Sequence, residues 1–353
     1  MDSNLFVVGL GNIGSQLVSL LASVASVRRV GLVDFDSYTP ANVLSQRIAN
    51  RDAGRAKAHV QARALRATRP DLEVTPYVHR FEQVPLGLLR SSVIFSCVDS
   101  RAARQQINRA AVALGIAWID AGIARAGSVR ARAYIPGHAC LECAWGPRDY
   151  ELLEAAAPCG RAPATPSTAA PVELGAIAAG LQLMLYRRLL ADADAHATLV
   201  DRQWLLDLPS GRAFTATYSP NPRCRHAHDQ WEIRALPAGS TRMSLKEALA
   251  LANPRSSAAT LGAPGMAFVR RLRCPTCPNT RRLQAVLSGR LAPCACETCG
   301  APMQATAIDT DYELGAVNAT TAVLRAPLSG RGFVAGDIVS VHANAETIFY
   351  QLA

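Results

Sequence analysis

Long apolar runs are missing from this 353-residue sequence. Although 50% of its residues are hydrophobic, no stretch approaches the roughly 18 apolar residues that a membrane-spanning helix needs. No basic leader with an apolar core opens the chain either, which predicts a cytoplasmic protein with no secretion signal and no membrane partner. Lysine is scarce: only Lys57 and Lys246 stand among the 37 basic residues, so the formal charge of +10 comes almost wholly from arginine. Those arginines are dispersed rather than gathered into a stripe, which argues against a nucleic-acid partner. An acidic protein or a nucleotide accounts for the balance equally well. No internal repeat is visible. Cysteine, by contrast, is plentiful. Ten of them, several in Cys-x-x-Cys pairs and without a secretion signal, point to metal binding rather than disulfides.

The chain is organised around residues 5–14, where Leu5-Phe6-Val7-Val8 run into Gly9-Leu10-Gly11-Asn12-Ile13-Gly14 and then into the helix-spaced Leu17, Leu20, Leu21 and Val24. This reads as strand, tight turn, helix. The three glycines allow a sharp turn, a close approach to a phosphate and close packing of the helix, whose N-terminus faces the anion. A second strand, Val30-Gly31-Leu32-Val33, ends in Asp34-Phe35-Asp36, about 20 residues past the glycines, where a carboxylate binds ribose hydroxyls. An apolar strand at 92–98 ends at Asp99. Continuously apolar strands alternating with helices (53–68 and 101–114) predict a doubly wound, mostly parallel α/β sheet of the Rossmann kind. Its ligands sit at the carboxyl ends of the strands, where Gly9, Asp34, Asp36 and Asp99 fall.

Further along, 71–76 and 117–120 read as strands, and 122–134 as one strand with a bend at Gly127. Residues 147–171 are punctuated by Pro147, Pro158, Pro163, Pro166 and Pro171 and predict a crossing loop without a long helix or strand. A strong apolar helix over 172–190 follows, capped near Thr168, with Gly175 and Gly180 for close packing. Two strands flank Pro209-Ser210-Gly211 within 204–218. The texture shifts near residue 235, which predicts two domains, 1–234 and 235–353. The second is β-rich, with a short helix over 245–252 behind Ser244 and β-like segments at 317–324 and 338–352. Cys274-x-x-Cys277 and Cys296-x-x-Cys299 have zinc-ribbon spacing and predict a closed structural zinc site, with Cys294 able to replace Cys296. Cys97 lies inside an apolar strand and reads as a small hydrophobe.

Six motifs in order resemble the ThiF/MoeB superfamily of ubiquitin-activating-enzyme-like adenylyltransferases. They are Gly9/Gly11/Gly14, Leu32-Val33-Asp34-Phe35-Asp36, Asn42-Val43-Leu44-Ser45-Gln46, Gly54-Arg55-Ala56-Lys57, Asp99 with Arg104 and Asn108, and Cys140-Leu141-Glu142-Cys143, all within residues 5–234. The resemblance implies an enzyme that uses ATP and magnesium to adenylate the C-terminal carboxylate of a small ubiquitin-like protein ending in glycine. It assigns Asp36 to the ribose, Lys57 and Asn42 to the phosphates with Gln46 beside them, and Asp99 to magnesium. Arg104 and Asn108 are support. The family's arginine before Gln46 is Ser45 here, and Arg47 is the nearest substitute. Members with an extra N-terminal helix send an arginine into the partner subunit's site, and the residues before Leu5 are expected to supply no such helix.

The resemblance also implies a second zinc site, in which Cys140 and Cys143 pair with cysteines in an Asn-Pro-x-Cys context. Here Asn221-Pro222-Arg223-Cys224-Arg225-His226-Ala227-His228 supplies Cys224 and a histidine, His228 or else His226. Cys159, in the crossing loop beside Arg161, is either the acceptor of the activated carboxyl as a thioester or an inert loop cysteine. The implied partners are the carrier protein, a conjugating enzyme and a second copy of the chain in a homodimer. The alternative is adenylation for sulfur transfer in thiamine- or molybdopterin-type biosynthesis, or for peptide modification.

Overall fold

The β-branched and aromatic run before the first glycine forms strand β1 (Ser3–Val8), buried on both faces and flanked by parallel neighbours on both edges. The computed structural model describes residues 3–124, 127–155, 170–191, 196–252 and 258–353. The chain divides into two units, Met1–Phe81 with Leu89–Gln230 and Glu82–Leu88 with Trp231–Ala353.

In the first unit, β2 (Val27–Val33), β3 (Glu73–Tyr77), β4 (Ser92–Ser96) and β5 (Trp118–Ile123) join β1 in parallel, in the order β3-β2-β1-β4-β5. Antiparallel strands β6 (Ser128–Tyr134), β7 (Arg202–Asp207) and β8 (Arg212–Thr217) extend the sheet to eight. Right-handed crossovers run outward in both directions from β1 and β4. They therefore put α1 (Asn12–Leu21) and α2 (Lys57–Thr68) on one face and α3 (Arg101–Leu114) on the other. The long helix α5 (Val172–Leu189) packs on α1, β5 and β6, so Leu174, Ala178 and Leu185 share one core with Ile119, Val129 and Ala131. Strand order reverses between β1 and β4, and the crevice beyond their carboxyl ends is the ligand position for such a sheet.

Several local expectations change. The bent strand over 122–134 is a hairpin of β5 and β6, turned at Gly127 with φ +81°. The proline-rich stretch opens with helix α4 (Pro147–Ala155), because Pro147 occupies its first position, where no N–H is required. Residues 156–169, with Cys159 and the expected cap Thr168, lie outside the described residues; α5 is preceded by Pro171 instead. Gly175 does permit a close approach, since a Cβ there would meet Asn12 Oδ1 at 1.9 Å, whereas Gly180 faces open space.

The second unit holds a five-stranded sheet in the order β14-β10-β15-β16-β9. Its strands are β9 (Ile233–Ala235), β10 (Thr260–Gly262), β14 (Glu313–Gly315), β15 (Ile338–Ala343) and β16 (Glu346–Gln351). A separate three-stranded sheet, β12-β11-β13, is built from β11 (Phe268–Arg273), β12 (Thr280–Leu287) and β13 (Thr310–Asp311). Ser244 caps α6 (Leu245–Ala250) through a capping box with Glu247. Part of the expected β-like segment at 317–324 instead starts helix α7 (Thr321–Arg325), because the Thr320 hydroxyl accepts the Val323 N–H as an N-cap.

Candidate active site

Each glycine of the first turn has its own reason to be there. Gly9 has φ +88°, and a Cβ on it would stand 2.7 Å from the Cys97 carbonyl oxygen at the end of β4. A Cβ on Gly14 would lie 1.9 Å from the Gly9 carbonyl oxygen, so α1 seats against the turn only as glycine. Gly11, directly before α1, has no atom within 4 Å of its Cβ position. That opening is the space a bound anion would fill.

Asp34 shapes the turn from within. Its Oδ2 accepts the Leu10 N–H at 2.7 Å and its Oδ1 accepts the Asp36 N–H at 2.9 Å. Burial pushes its pKa up, while the Lys57 charge and the two N–H donors pull it back. Both oxygens are engaged by backbone, whereas the Asp36 carboxylate is exposed. Lys57, the first residue of α2, sends Nζ to within 3.2 Å of Asp36 Oδ2. Tyr38 braces the same region: its hydroxyl donates to the Leu10 carbonyl at 2.8 Å and accepts from Gln61 Nε2 at 2.8 Å.

The Asn42 side chain caps its own 3-10 turn, its Oδ1 accepting the Thr39 N–H at 2.8 Å. Gln46 Oε1 is buried without a hydrogen-bond partner, an acceptor still to be satisfied. Ser45 is buried. Arg47 is fixed through its main chain, N–H to Ser15 Oγ at 3.0 Å, and its guanidinium is exposed.

Asp99, just past β4, is exposed, and its carboxylate has no partner among the described residues. Arg104 on α3 donates from Nε to Asp120 Oδ1 at 3.0 Å, from Nη2 to the Ala121 carbonyl at 3.3 Å and, at a long 3.5 Å, from Nη1 to the Asp99 carbonyl. It fixes the strand end without occupying Asp99. Sequence reasoning missed Gln182 on α5, because one glutamine in an apolar helix carries no pattern. Its Nε2 donates to the carbonyls of Ser96 and Ile119 at 2.9 and 3.0 Å, and its Oε1 accepts from the Cys97 thiol at 3.3 Å, tying β4 to β5. Asn12 was missed too; it donates to the carbonyls of Ala170 and Pro171 at 2.7 and 3.1 Å, fastening the start of α5 to the glycine turn.

Two groups of ligand-type side chains converge. In the first unit the Cys140 sulfur lies 3.8 Å from those of Cys143 and Cys224, and His228 Nε2 is 3.3 Å from Cys140 Sγ and 3.5 Å from Cys143 Sγ. A tetrahedral metal with sulfur bonds of about 2.3 Å spaces its sulfurs about 3.8 Å apart, so this set fits one ion. His226 stands outside it, its ring 6.1 Å from that of His228 and its Nε2 buried without a partner. Between the two cysteines the buried Glu142 takes hydrogen bonds from Gln105, Arg109 and Tyr150, and Asn108 Oδ1 accepts the Leu141 N–H at 2.9 Å, so the knuckle is anchored to α3. In the second unit Cys274, Cys277, Cys296 and Cys299 gather with neighbouring sulfurs 3.3–3.7 Å apart, a second set able to hold a metal ion. Cys294 stays outside it and accepts from Arg281 Nη1 at 3.0 Å.

An eight-stranded, doubly wound α/β sheet with a glycine turn, acidic strand ends and a cysteine-histidine knuckle defines the class. The chain belongs to the ThiF family, whose model matches residues 1–226. It is 30% identical over 149 residues to the sulfur carrier protein ThiS adenylyltransferase of Escherichia coli, covering 41% of this chain and 59% of that one. It is 29% identical to the ubiquitin-like modifier-activating enzyme 5 of Mus musculus, over 39% of this chain and 38% of that one. The matches thus span well under two thirds of these relatives. A solved structure of E. coli MccB with ATP shares the fold, with a TM-score of 0.52 and 16% identity over 64% of this chain and 66% of that one. No helix among the described residues is long and apolar enough to cross a membrane.

Proposed function

We propose that the first unit binds ATP with magnesium at the carboxyl ends of β1, β2 and β4 and adenylates the C-terminal carboxylate of a small ubiquitin-like protein. One observation carries this reading: the open space at Gly11, the Lys57–Asp36 pair and the unpartnered Asp99 carboxylate all stand at those strand ends. Asp36 takes the ribose. Lys57 turns from Asp36 to the phosphates, with Asn42, Gln46 and Arg47 beside them; Arg47 stands in for the family arginine replaced by Ser45. The exposed Asp99 oxygens suit a hard divalent cation, and magnesium there would neutralise charge on the phosphates as pyrophosphate leaves. The substrate carboxylate attacks the α-phosphorus, and an acyl-adenylate and pyrophosphate result.

In this reading Cys159 accepts the acyl group as a thioester, AMP leaves, and a conjugating enzyme takes the product. Zinc in the two ligand sets is structural, because four protein ligands leave no open position. The second reading keeps the adenylate but sends it to sulfur transfer or peptide modification. It is favoured by the similarity to the sulfur carrier protein ThiS adenylyltransferase. ATP–pyrophosphate exchange in the presence of candidate carrier proteins tests adenylation: exchange dependent on carrier supports it, and none with any carrier rejects it. A thiol-sensitive carrier adduct then separates conjugation from the other routes.

A further inference from the structure

Every hydrogen bond of Arg47 among the described residues is made by its main chain. Its N–H donates to Ser15 Oγ at 3.0 Å and its carbonyl accepts from Gln61 Nε2 at 3.4 Å, whereas its guanidinium is exposed and has no hydrogen bond or ion pair among those residues. Both holding groups come from inside the protein: Ser15, in the first turn of α1, and Gln61, on α2, are buried. The N–H and C=O of Arg47 lie on the two planar peptide groups that meet at its Cα. Holding both therefore restricts the direction in which its side chain leaves the backbone.

The same side chains continue to the glycine turn. Ser15 Oγ donates to the Asn12 carbonyl at 3.3 Å. Gln61 Nε2 also donates to the Tyr38 hydroxyl at 2.8 Å, and that hydroxyl donates to the Leu10 carbonyl at 2.8 Å. Leu10 and Asn12 flank Gly11, so the two paths that leave Arg47 close into one ring through the Gly11 backbone. Tyr38 is buried like Ser15 and Gln61, and buried polar groups of this kind persist only when their hydrogen bonds are made. The ring thus joins the base of one exposed cation to the residue whose Cβ position is open space.

Charges nearby are engaged differently. Arg63 on α2 pairs with Asp52, and Arg66 donates to the Val74 carbonyl. Ser45, at the position of the family's arginine, is buried, and Arg47 stands two residues later. A side chain displaced along the chain serves the same phosphates only if its base is drawn toward the turn, which is what the ring does. Because the ring grips the main chain rather than the charge, the guanidinium stays hydrated until an anion arrives and no buried charge has to be offset.

We propose that Ser15, Tyr38 and Gln61 are positioning residues that hold Arg47 in register with the anion space at Gly11, so that its guanidinium meets the phosphates of the nucleotide. The proposal rests on the adenylation reading for the presence of a nucleotide there.

The test measures binding of ATP with magnesium to the full chain by isothermal titration calorimetry, with adenosine affinity read by competition against ATP. Arg47→Ala is expected to weaken ATP about tenfold and to leave adenosine within about twofold, the scale of one lost charge-assisted contact to phosphate. Ser15→Ala and Gln61→Met should each lose most of that factor for ATP and not for adenosine. Combined with Arg47→Ala they should lose nothing further, since they act through it. Tyr38→Phe should lose less, because Gln61 still reaches the Arg47 carbonyl. A merely structural role would weaken ATP and adenosine alike and add to the Arg47→Ala loss, and either result overturns the proposal. So does unchanged ATP affinity in Arg47→Ala, an exposed substitution that requires no buried variant to fold. Absence of ATP binding by wild type would remove the nucleotide site and the proposal together. Failure of pyrophosphate exchange with every carrier, with ATP binding intact, is a different result: it removes adenylation, while the binding cycle still reports on Arg47.

Discussion

Lys57 Nζ rests 3.2 Å from Asp36 Oδ2, joining the first residue of α2 to the acidic segment that follows β2. The lysine is the more enclosed partner, its side chain 12% exposed against 50% for the aspartate. A pair so placed contributes at most about 1 kcal/mol to stability, so its removal should be felt in catalysis rather than in folding. Lys57→Ala is expected to lower the pyrophosphate-exchange rate roughly a hundredfold, the scale of one lost transition-state donor. Lys57→Arg should lose less, because the charge remains. Both variants matching wild type would take Lys57 out of the site.

Asp99→Ala should abolish exchange while leaving the thermal midpoint within a degree or two, since the carboxylate is exposed and makes no contact that folding requires. Wild-type exchange in this variant would move the magnesium elsewhere.

Gly11 and Gly14 should respond in opposite ways to alanine. At Gly14 the new methyl meets the Gly9 carbonyl at 1.9 Å, so a loss of about 1–3 kcal/mol or more in denaturant unfolding is expected. At Gly11 the methyl enters open space, so the fold should hold while the affinity for ATP falls.

Metal analysis of the full chain should find two zinc ions. His228→Ala should release one of them, and His226→Ala should retain both, since only His228 reaches the sulfurs of Cys140 and Cys143. Replacing Cys274 and Cys299 by serine should release the other and loosen 270–303 while pyrophosphate exchange survives, because a structural ion supplies folding energy locally. One ion, retained by the second-unit cysteines alone, would refute the cysteine-histidine site.

Cys159→Ala should leave pyrophosphate exchange nearly intact, because adenylation needs only groups at the strand ends, and should eliminate a thiol-sensitive carrier adduct on non-reducing gels. An adduct that persists would rule out Cys159 as the acceptor. No adduct in wild type would mean that the enzyme stops at the adenylate.

The parallel half of the sheet was legible because β1, the end of β2 and β4 are largely apolar runs followed by glycine or aspartate in sequence-local patterns. The ligand groups of both metal sets were legible for the same reason, as short repeats of one residue type. What escaped was set by partners distant in sequence. Gln182 matters through the carbonyls of Ser96 and Ile119, and β5 and β6 form a hairpin that periodicity reads as one bent strand. Helix α4 escaped because proline was read as a breaker, although at a first helical position it costs nothing. Asp34 was legible as a carboxylate at a strand end, but the N–H groups that occupy it were not.

That occupied carboxylate has a consequence for how ligand binding begins. Because Asp34 holds the Leu10 N–H from inside, the glycine turn has its shape before any nucleotide arrives, and one donor that could face a phosphate is turned inward. Entry of an anion at Gly11 would then need little backbone ordering, so the preorganised turn would add little to the entropic cost of association. The Leu10 amide should accordingly exchange its hydrogen slowly, and at nearly the same rate with and without ATP.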